Sequence, residues 1–553
     1  MPYDDLTNLL LAKRGITTTE EAEKFLNPSY DEHLVDPLTI KNMPQAASRL
    51  AAAILSGEKI AAWTDYDCDG IPAAVILHDF LKKAGANFEN YIPHRHLEGY
   101  GVNSAGVEKL AKNGAKLLIT ADVGITDTEV IARARALGMD TIVTDHHLPG
   151  DGLPEGIVVD PNAHPDETAP FKSWCGAGLA WKLVCATLSV APELRERVPE
   201  GWEKWLLDMA ALATIADMVP LVGDNRLIAR YGLLVLRKSP RIGVGKLCRL
   251  MRLEQSRITE DDVGFMLAPR VNAASRMDDP LEAFRLFITA DESEADALAK
   301  KLEKLNRERK AQTGAITRAV RERLADRSNL QSVIALGDPS WRPALLGLVA
   351  NGIAEEYARP VFLWGREGND TLKGSCRSEG ATHMVALMQA AEDTFAEFGG
   401  HAFSGGFTVL DEAVFSLEDR LVAALATLPV EEAPVEREPD ADLAPCEADG
   451  PLLAKLERLA PYGEGNEKPL LRLHGCEIAR VERFGKGKEH VKFKVARDES
   501  EKPLEAVAFF AKGALATYAD ALSPGSQATL LGHLERDSFS RAPRLRLIGI
   551  VPA

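Results

Sequence analysis

Acidic side chains capable of holding a metal ion follow an apolar segment early in the chain. The run Asp-Tyr-Asp-Cys-Asp-Gly places Asp65, Asp67 and Asp69 at alternate positions. If this stretch is extended, the three carboxylates share one face and repel one another at low dielectric. A divalent cation removes that repulsion, and oxygen ligands suit Mg²⁺ or Mn²⁺. A solvated acidic turn explains the same spacing.

The same run also resembles the start of a calcium-binding loop. Such a loop carries a glutamate six residues after its glycine, where this chain has Ile76. The pattern therefore does not favour calcium in that geometry.

Three further acidic sites lie at the ends of apolar segments. Asp122 follows one segment, and the run Asp145, His146 and His147 follows another. Asp217 ends an apolar helix-like stretch. Taken singly, Asp122 is also explained as a helix cap and Asp217 as a helix terminus. Together with two adjacent histidines, they suit a two-metal centre of the kind that promotes in-line displacement at phosphorus, with its ions about 3.5–4 Å apart.

The segments that must position these residues alternate between strand and helix patterns. The predicted strands are 58–64, 87–92, 115–121, 140–145 and 155–160, and the predicted helices between them are 72–85, 104–114 and 128–138. Such alternation predicts an α/β fold with a doubly wound parallel sheet. Ligands of these sheets bind at the carboxyl ends of the strands, which is where the candidate residues lie.

Composition divides the 553 residues into six predicted parts. Residues 175–330 are mostly helical, 331–338 and 359–365 read as strands, and 428–445 is rich in proline and acid. The parts are an N-terminal segment (1–40), the doubly wound domain with its helical part (41–290), a long connector helix (291–328), a second, smaller α/β domain (329–427), an acidic linker (428–450) and a C-terminal β-barrel (451–553).

The charge differs between the whole chain and the predicted barrel. The chain carries a net charge of −17, which argues against a protein coated in nucleic acid. Residues 451–553 contain 17 Lys and Arg against 13 Asp and Glu. A basic barrel on an acidic protein indicates nucleic-acid binding, with an ordinary mildly basic barrel as the alternative.

Cysteine usage and hydropathy predict a cytoplasmic protein. The seven cysteines are scattered and form no Cys-x-x-Cys pair, which is typical of reduced thiols. No apolar run approaches the roughly 20 residues that span a bilayer. The N-terminal stretch has acids before a short apolar patch and no basic leader, so no signal peptide is expected.

These motifs in combination resemble the DHH phosphoesterase superfamily and, within it, the RecJ-type single-stranded-DNA-specific exonucleases. The resemblance extends from about residue 40 to residue 550. The stretches that carry it are DYDCDG, YIPHRHLEGYGVN, ADVGIT, TDHHLP, TIADMVPLVGDNR, APRVNAASRMDDP, GSCRS, FGGHAFSGGF and LAPYGEGNEKP. It implies hydrolysis of single-stranded DNA from the 5′ end to 5′-mononucleotides with two Mn²⁺ or Mg²⁺ ions, in DNA repair or recombination.

The resemblance also assigns roles to residues. The implied metal ligands are Asp65, Asp67, Asp69, Asp122, His146 and Asp217. The implied catalytic group is Asp145, His146 and His147, with His147 over the scissile phosphate. The implied substrate-binding residues are Asn272, Arg276, Ser375, Arg377, Gly400 and His401, the last two in a clamp that also contains Gly399.

The C-terminal domain is expected to be an OB-like barrel that holds the trailing strand by stacking and phosphate pairing. The candidate residues are Phe484, Lys486, Lys488, Lys492 and Lys494, for which a solvated hairpin is the alternative. The implied partners are single-stranded DNA and, as in relatives, a single-strand-binding protein and a helicase. The protein is expected to be a monomer that does not contact membranes.

Several residues depart from the family pattern and indicate a divergent member. Cys68 replaces an alanine between two predicted ligands, Ser275 replaces a glycine, and Arg342 and Pro343 stand where a histidine and its neighbour are expected. Trp63 is also unusual ahead of the first motif. Two other functions stay open: a nanoRNase or cyclic-dinucleotide phosphodiesterase of the same superfamily, and a non-catalytic DNA-binding scaffold.

Overall fold

The structure is a computed structural model that describes residues 3–367, 371–380, 382–429, 437–485, 487–497, 502–511, 513–537 and 540–552. The chain forms two compact units. The barrel unit comprises Met1–Asp36, Met218–Leu233 and Glu436–Ala553, and the α/β unit comprises Pro37–Asp217 and Leu234–Val435. Among the described residues, no helix is both long and apolar enough to cross a membrane.

Three short helices open the barrel unit: α1 (Asp5–Ala12), α2 (Thr19–Leu26) and α3 (Tyr30–His33). A capping box begins α2, in which the Thr18 side chain accepts from the backbone N–H of Glu21 and the Glu21 side chain accepts in return. Leu10, Leu11 and Leu26 from these helices are buried in the core of the barrel. The N-terminal segment is thus part of the C-terminal domain's core.

Five parallel strands form the first sheet of the α/β unit, in the order β2–β1–β3–β4–β5. The strands are β1 (Lys59–Thr64), β2 (Asn87–Tyr91), β3 (Leu117–Ala121), β4 (Asp140–Thr144) and β5 (Ile157–Val159), and the accompanying helices are α4 (Met43–Ser56), α5 (Gly70–Lys83), α6 (Ser104–Lys112) and α7 (Thr128–Ala136). Every residue of β3 is buried, as expected for a parallel strand covered on both faces. The predicted doubly wound sheet is confirmed, and its strand order reverses between β1 and β3.

Helices dominate the chain from residue 176 to residue 325. They are α8 (Gly176–Val190), α9 (Leu207–Ala216), α10 (Gly223–Leu236), α11 (Ile242–Met251), α12 (Glu260–Asp262), α13 (Ala268–Met277), α14 (Leu281–Ile288) and α15 (Glu292–Ala325). A π-helical turn at 263–267 leads into α13. Helix α15 is the predicted long helix, with 34 residues and a length of about 50 Å at 1.5 Å per residue.

The second sheet of the α/β unit is mixed, with the order β6–β7–β8–β10–β9. Its strands are β6 (Ile334–Gly337), β7 (Val361–Glu367), β8 (Thr371–Arg377), β9 (Phe395–Gly400) and β10 (Ser404–Val409), flanked by α16 (Pro343–Tyr357), α17 (Met384–Ala390) and α18 (Leu417–Leu425). Only β6 and β7 are parallel. Phe362, Phe395 and Phe407 pack together in its core.

A closed barrel of five strands forms the centre of the barrel unit. Its elements are β11 (Ala441–Leu443), α19 (Gly450–Glu457), β12 (Leu471–Phe484), β13 (His490–Val495), β14 (Leu504–Ala508), α20 (Gly513–Ala521), β15 (Gln527–Arg536) and β16 (Pro543–Pro552). The barrel closes through β12–β13–β14–β16–β15–β12, with a helix between its third and fourth strands. The predicted OB-like barrel is therefore confirmed.

Candidate active site

The first three aspartates lie in a tight turn between β1 and α5. Strand β1 ends at Thr64, so the extended geometry expected for residues 65–69 is wrong. One carboxylate oxygen of Asp67 accepts the backbone N–H groups of Asp69, at 2.8 Å, and Gly70, at 3.2 Å. A Cβ atom at Gly70 would lie 2.2 Å from the carbonyl oxygen of Asp65, so the turn requires glycine there.

A helix N-terminus holds the third aspartate. The two carboxylate oxygens of Asp69 accept the N–H groups of Gly176 and Ala177, at 2.6 and 2.7 Å, in the first turn of α8. Exposed N–H groups and the helix dipole both favour a carboxylate at this position. The contact turns Asp69 toward the start of α8.

The predicted ligands gather in groups small enough to hold single ions. Possible ligand atoms lie within 4.8 Å of one another in three groups. The groups are Asp65, Asp67 and Asp122; Asp69, His146 and Asp217; and Asp122, His146 and His147. Asp122 and His146 each belong to two groups, so these two residues connect the three groups into one cluster. All six predicted ligands converge at the carboxyl edge of the first sheet.

Asp122 adopts an unusual backbone conformation. It follows β3 with a φ of 65°, in the left-handed region, and its N–H bonds to the carbonyl oxygen of Thr144 at 3.0 Å. Aspartate tolerates this region better than most residues. A Cβ at Gly176 would lie 2.3 Å from the Cβ of Asp122, so the start of α8 approaches the site closely only because it is glycine.

The two histidines after β4 face different partners. His146 Nε2 lies 3.2 Å from Asp122, 3.6 Å from Asp69 and 3.9 Å from Asp217. His147 instead donates from Nδ1 to Asp145 at 2.8 Å. Asp145 is buried, and its other oxygen accepts the N–H of Ile125 at 3.0 Å. His146 thus lies among the candidate ligands, and Asp145 orients His147.

The carboxylate cluster needs positive charge. Burial raises the pKa of Asp65, Asp69 and Asp122, and neighbouring aspartates raise it further. Burial, then Asp69 and Asp67, raises the pKa of Asp217 to about 9. Asp65 also has a buried carboxylate oxygen without a hydrogen-bond partner among the described residues. Oxygen and imidazole donors around surplus negative charge fit Mn²⁺ or Mg²⁺.

The two imidazoles have opposite charge preferences. Burial lowers the pKa of His146, which favours the neutral ring that ligates metals. Burial also acts to lower the pKa of His147, but the hydrogen bond and charge of Asp145 outweigh it and raise that pKa to about 9. His147 is therefore a cation at neutral pH, suited to stabilising negative charge on a phosphoryl oxygen.

A cavity of about 350 Å³ opens onto these residues. Its lining includes Asp65, Asp67, Tyr100, Asp122, Ile125, Thr126, His147, Leu148, Asp217, Gly400 and His401. Gly400 is the last residue of β9 in the second sheet and His401 follows it, so both sheets of the α/β unit contribute to one cavity. Gly400 has a φ of 149°, and a Cβ there would lie 2.3 Å from the carbonyl oxygen of Ser404.

Two predicted substrate-binding arginines lie close to residues that line this cavity, Arg276 near Asp67 and Arg377 near His401. Arg276, on α13, donates to the carbonyl oxygen of Ala344 in α16 at 2.7 Å. Burial, then the charge of Arg95, lowers the pKa of Arg276 to about 10, and burial lowers that of Arg377. Ser375 and Arg377 lie two residues apart on β8, hence on one face of the strand. The neighbouring arginines indicate an anion site.

Asn272, which was predicted to bind substrate, contacts the aspartate turn through its side chain. Its side-chain oxygen accepts the backbone N–H of Cys68 at 2.9 Å, inside the aspartate turn. Cys68 is itself buried, and burial raises the pKa of its thiol well above the ordinary value.

Four residues near the site were missed by the sequence reasoning: Arg95, Tyr100, Asp160 and Asn162. Arg95 lies 5.0 Å from the ring centre of Tyr66, and the Tyr100 ring lies 6.3 Å from that of His147. Asn162 donates to the carbonyl oxygen of His146 at 2.6 Å. Burial raises the pKa of Asp160 to about 7. Asp160 directly follows β5, just as Asp65, Asp122 and Asp145 directly follow β1, β3 and β4, and this repeated position was a signal that could have found it.

In the barrel unit, an aromatic cluster lies where β12 meets β13. The ring of His490 lies 5.0 Å from Phe484, 5.7 Å from Phe509 and 4.4 Å from Phe510. Lys492 lies 5.7 Å from the Phe484 ring. Lys494 follows on the same face of β13, Lys488 lies in the preceding loop, and Lys486 lies outside the described residues. We call Phe484, His490, Phe509 and Phe510 the aromatic platform.

Comparison with known proteins identifies the class. Residues 59–214 match the N-terminal domain of the DHH family, residues 330–428 the DHHA1 domain, and residues 439–549 the RecJ OB domain. The fold and the Asp-His-His site therefore define a DHH-family protein with a DHHA1 domain and an OB domain.

Curated relatives and a solved structure narrow the class to one family. The single-stranded-DNA-specific exonuclease RecJ of Bacillus subtilis is 34% identical over 98% of this chain and 66% of its own length. That of Escherichia coli is 31% identical over 85% of this chain and 83% of its own. The crystal structure of RecJ with Mn²⁺ from Thermus thermophilus has a TM-score of 0.80 and 29% identity, covering 99% of this chain and 76% of that one.

The chain belongs to the RecJ family. It spans about two thirds of the length of the B. subtilis relative.

Proposed function

We propose that this protein is a metal-dependent exonuclease that hydrolyses single-stranded DNA from the 5′ end and releases 5′-mononucleotides. The observation that carries the proposal is the grouping of five aspartates with His146. Four of these aspartates also line one cavity together with Gly400 and His401. The names of the RecJ relatives support the substrate, and the motif resemblance supports the polarity.

The metal sites are proposed for the six predicted ligands, all of which belong to the three ligand groups. Asp65, Asp67, Asp69, Asp122, His146 and Asp217 would hold two Mn²⁺ or Mg²⁺ ions. When bound, these ions neutralise phosphate charge and lower the pKa of water at the site.

The remaining groups bind and orient the scissile phosphate. Asp145 holds Nδ1–H of His147, which leaves Nε2 of the cationic ring for a phosphoryl oxygen in the cavity. Such a donor stabilises the charge that develops in the transition state. Arg276, Arg377 and His401 would bind phosphates of the strand next to it. Gly400 and Tyr100 line the cavity. Ser375 would bind the same strand from β8, where it lies two residues from Arg377.

The barrel is proposed to hold the trailing strand. Its aromatic platform provides ring faces for bases, and Lys488, Lys492 and Lys494 provide charge for phosphates. A single-strand-binding protein and a helicase as partners, a monomeric state and a cytoplasmic location stay predictions from the sequence.

The proposal is tested with oligonucleotides labelled at either end and incubated with Mn²⁺. The wild-type protein is expected to release a 5′-labelled mononucleotide at once and to shorten a 3′-labelled strand progressively. Asp122→Ala and His146→Ala should abolish detectable cleavage, because a two-metal site loses a ligand. Asp151→Ala, at an exposed aspartate, is the control and should cleave like the wild type.

Two results would contradict the proposal. Unchanged cleavage by Asp122→Ala would remove the metal assignment. Cleavage of dinucleotides without cleavage of long single strands would instead support a nanoRNase-like enzyme.

A further inference from the structure

Side chains both inside and outside the aspartate turn bind the backbone N–H groups of this turn, which carries three candidate ligands. The N–H groups of Asp69 and Gly70 are bound within the turn, by Asp67. The N–H of Cys68 is bound from outside, by the side-chain oxygen of Asn272 at 2.9 Å. Residues 68 and 272 are 204 positions apart, so this hydrogen bond joins the turn to helix α13.

The chemistry of this contact determines the orientation of the Asn272 amide. A backbone N–H only donates, so the side-chain oxygen must face Cys68 and the amide nitrogen must face elsewhere. Cys68 lies between Asp67 and Asp69, which belong to two different ligand groups. A shift of the Cys68 peptide would therefore displace both carboxylates and so alter both proposed metal sites.

We propose that Asn272 is a positioning residue for the metal centre, which acts through the Cys68 peptide rather than by contact with substrate. The proposal rests on the metal binding of the proposed function. Residues that orient metal ligands from outside commonly change metal affinity by about 10–100-fold when they are replaced. Asn272 would orient Asp67 and Asp69 in this way, through the backbone that joins them.

The next turn of the same helix provides a contrast. Arg276 follows Asn272 by four residues, which is one helical turn. Its Nη1 atom donates to Ala344 in α16 and not to the aspartate turn. Helix α13 therefore directs Asn272 toward the metal ligands and Arg276 toward α16 in the second α/β domain. The two side chains should affect different steps.

The experiment is Mn²⁺ titration calorimetry on the full chain without DNA. Asn272→Leu has a similar shape but no acceptor, and it should weaken Mn²⁺ binding about 10–100-fold. Asn272→Asp keeps an acceptor oxygen and should not weaken it. Arg276→Gln should not weaken Mn²⁺ binding but should weaken binding of a single-stranded oligonucleotide. Unfolding temperatures in EDTA check that each variant is folded, and Asn272→Ala replaces the leucine variant if that one is not.

Kinetics provide a second readout. If Asn272 acts through the turn, saturating Mn²⁺ should restore most of the kcat/KM of Asn272→Leu. If it binds DNA directly, KM should stay raised at any Mn²⁺ concentration.

The inference is overturned if Asn272→Leu binds Mn²⁺ like the wild type, or if Asn272→Asp loses as much affinity as Asn272→Leu. A wild-type protein that binds Mn²⁺ but cleaves no strand contradicts only the proposed function. A wild-type protein that binds no Mn²⁺ contradicts both.

Discussion

At the scale of residues, two adjacent histidines have different roles. His146 and His147 are adjacent, yet the first lies among carboxylates within 3.2–3.9 Å and the second is bound to Asp145. The difference arises because successive side chains after a strand point in different directions. One imidazole is placed to be a ligand and the other a hydrogen-bond donor.

The two roles predict different defects. His147→Ala should lower kcat about 10²–10³-fold, as loss of one donor to a developing anion does, while Mn²⁺ binding by calorimetry stays close to wild type. His146→Ala should lose both activity and Mn²⁺ affinity. Equal loss of Mn²⁺ affinity in the two variants would contradict the separation of roles.

At the scale of elements, the strand that begins at His490 brings aromatic rings and lysines together. His490, Lys492 and Lys494 alternate with buried Val491, Phe493 and Val495, so the polar set shares the outer face. Phe509 and Phe510 follow β14, which is antiparallel to β13, so they reach the same end of the barrel. This is the face between the second and third strands, where OB folds commonly bind oligonucleotides.

Replacing the exposed rings should weaken strand binding without loss of fold. Phe509→Ala and Phe510→Ala are expected to weaken binding of a single-stranded oligonucleotide by about 1–3 kcal/mol each, the usual loss for one stacked base. Fluorescence anisotropy measures oligonucleotide binding, and EDTA in the buffer prevents cleavage during the measurement. Phe415→Ala is the matched control, because Phe415 is 98% exposed but lies in the second α/β domain. If the control weakens binding equally, the platform is not the stacking surface.

At the scale of the whole molecule, the acidic cluster links metal, protons and stability. Asp217 has a pKa of about 9 in the metal-free fold, above the ordinary value of 3.8. A raised carboxyl pKa means that the folded protein binds a proton at Asp217 more tightly than the unfolded chain does. Stability from that proton is present below the ordinary pKa and is lost as the pH rises through about 9. Metal ions and protons therefore compete for these carboxylates.

Mn²⁺ should raise the unfolding temperature more at pH 8 than at pH 6. At pH 6 protons already neutralise part of the cluster, whereas at pH 8 the repulsion is larger and the ion relieves more of it. Thermal unfolding with EDTA or with Mn²⁺ at each pH measures the gain, and His146→Ala, which lacks a proposed ligand, should show a smaller one. A gain that is no greater at pH 8 would contradict the competition.

The sequence by itself determined the sheet and the edge at which the site lies. Apolar runs of strand length ending in Asp122 and Asp145 predicted parallel strands, and the carboxyl ends of parallel strands meet at one edge. The C-terminal barrel was also predicted from the sequence. The antiparallel strands β9 and β10 were not predicted, because the glycine-rich stretch FGGHAFSGGF, which overlaps both, has the composition of a loop.

Only the tertiary structure decided how the ligands are divided and what holds them. The alternation of Asp65, Asp67 and Asp69 predicted one shared face, but the turn and the start of α8 send Asp69 to a different group. The hydrogen bond from Cys68 to Asn272 joins residues far apart in the chain, and no local spacing encodes it. Local patterns specify which groups are available, whereas packing between distant elements sets the distances on which metal binding depends.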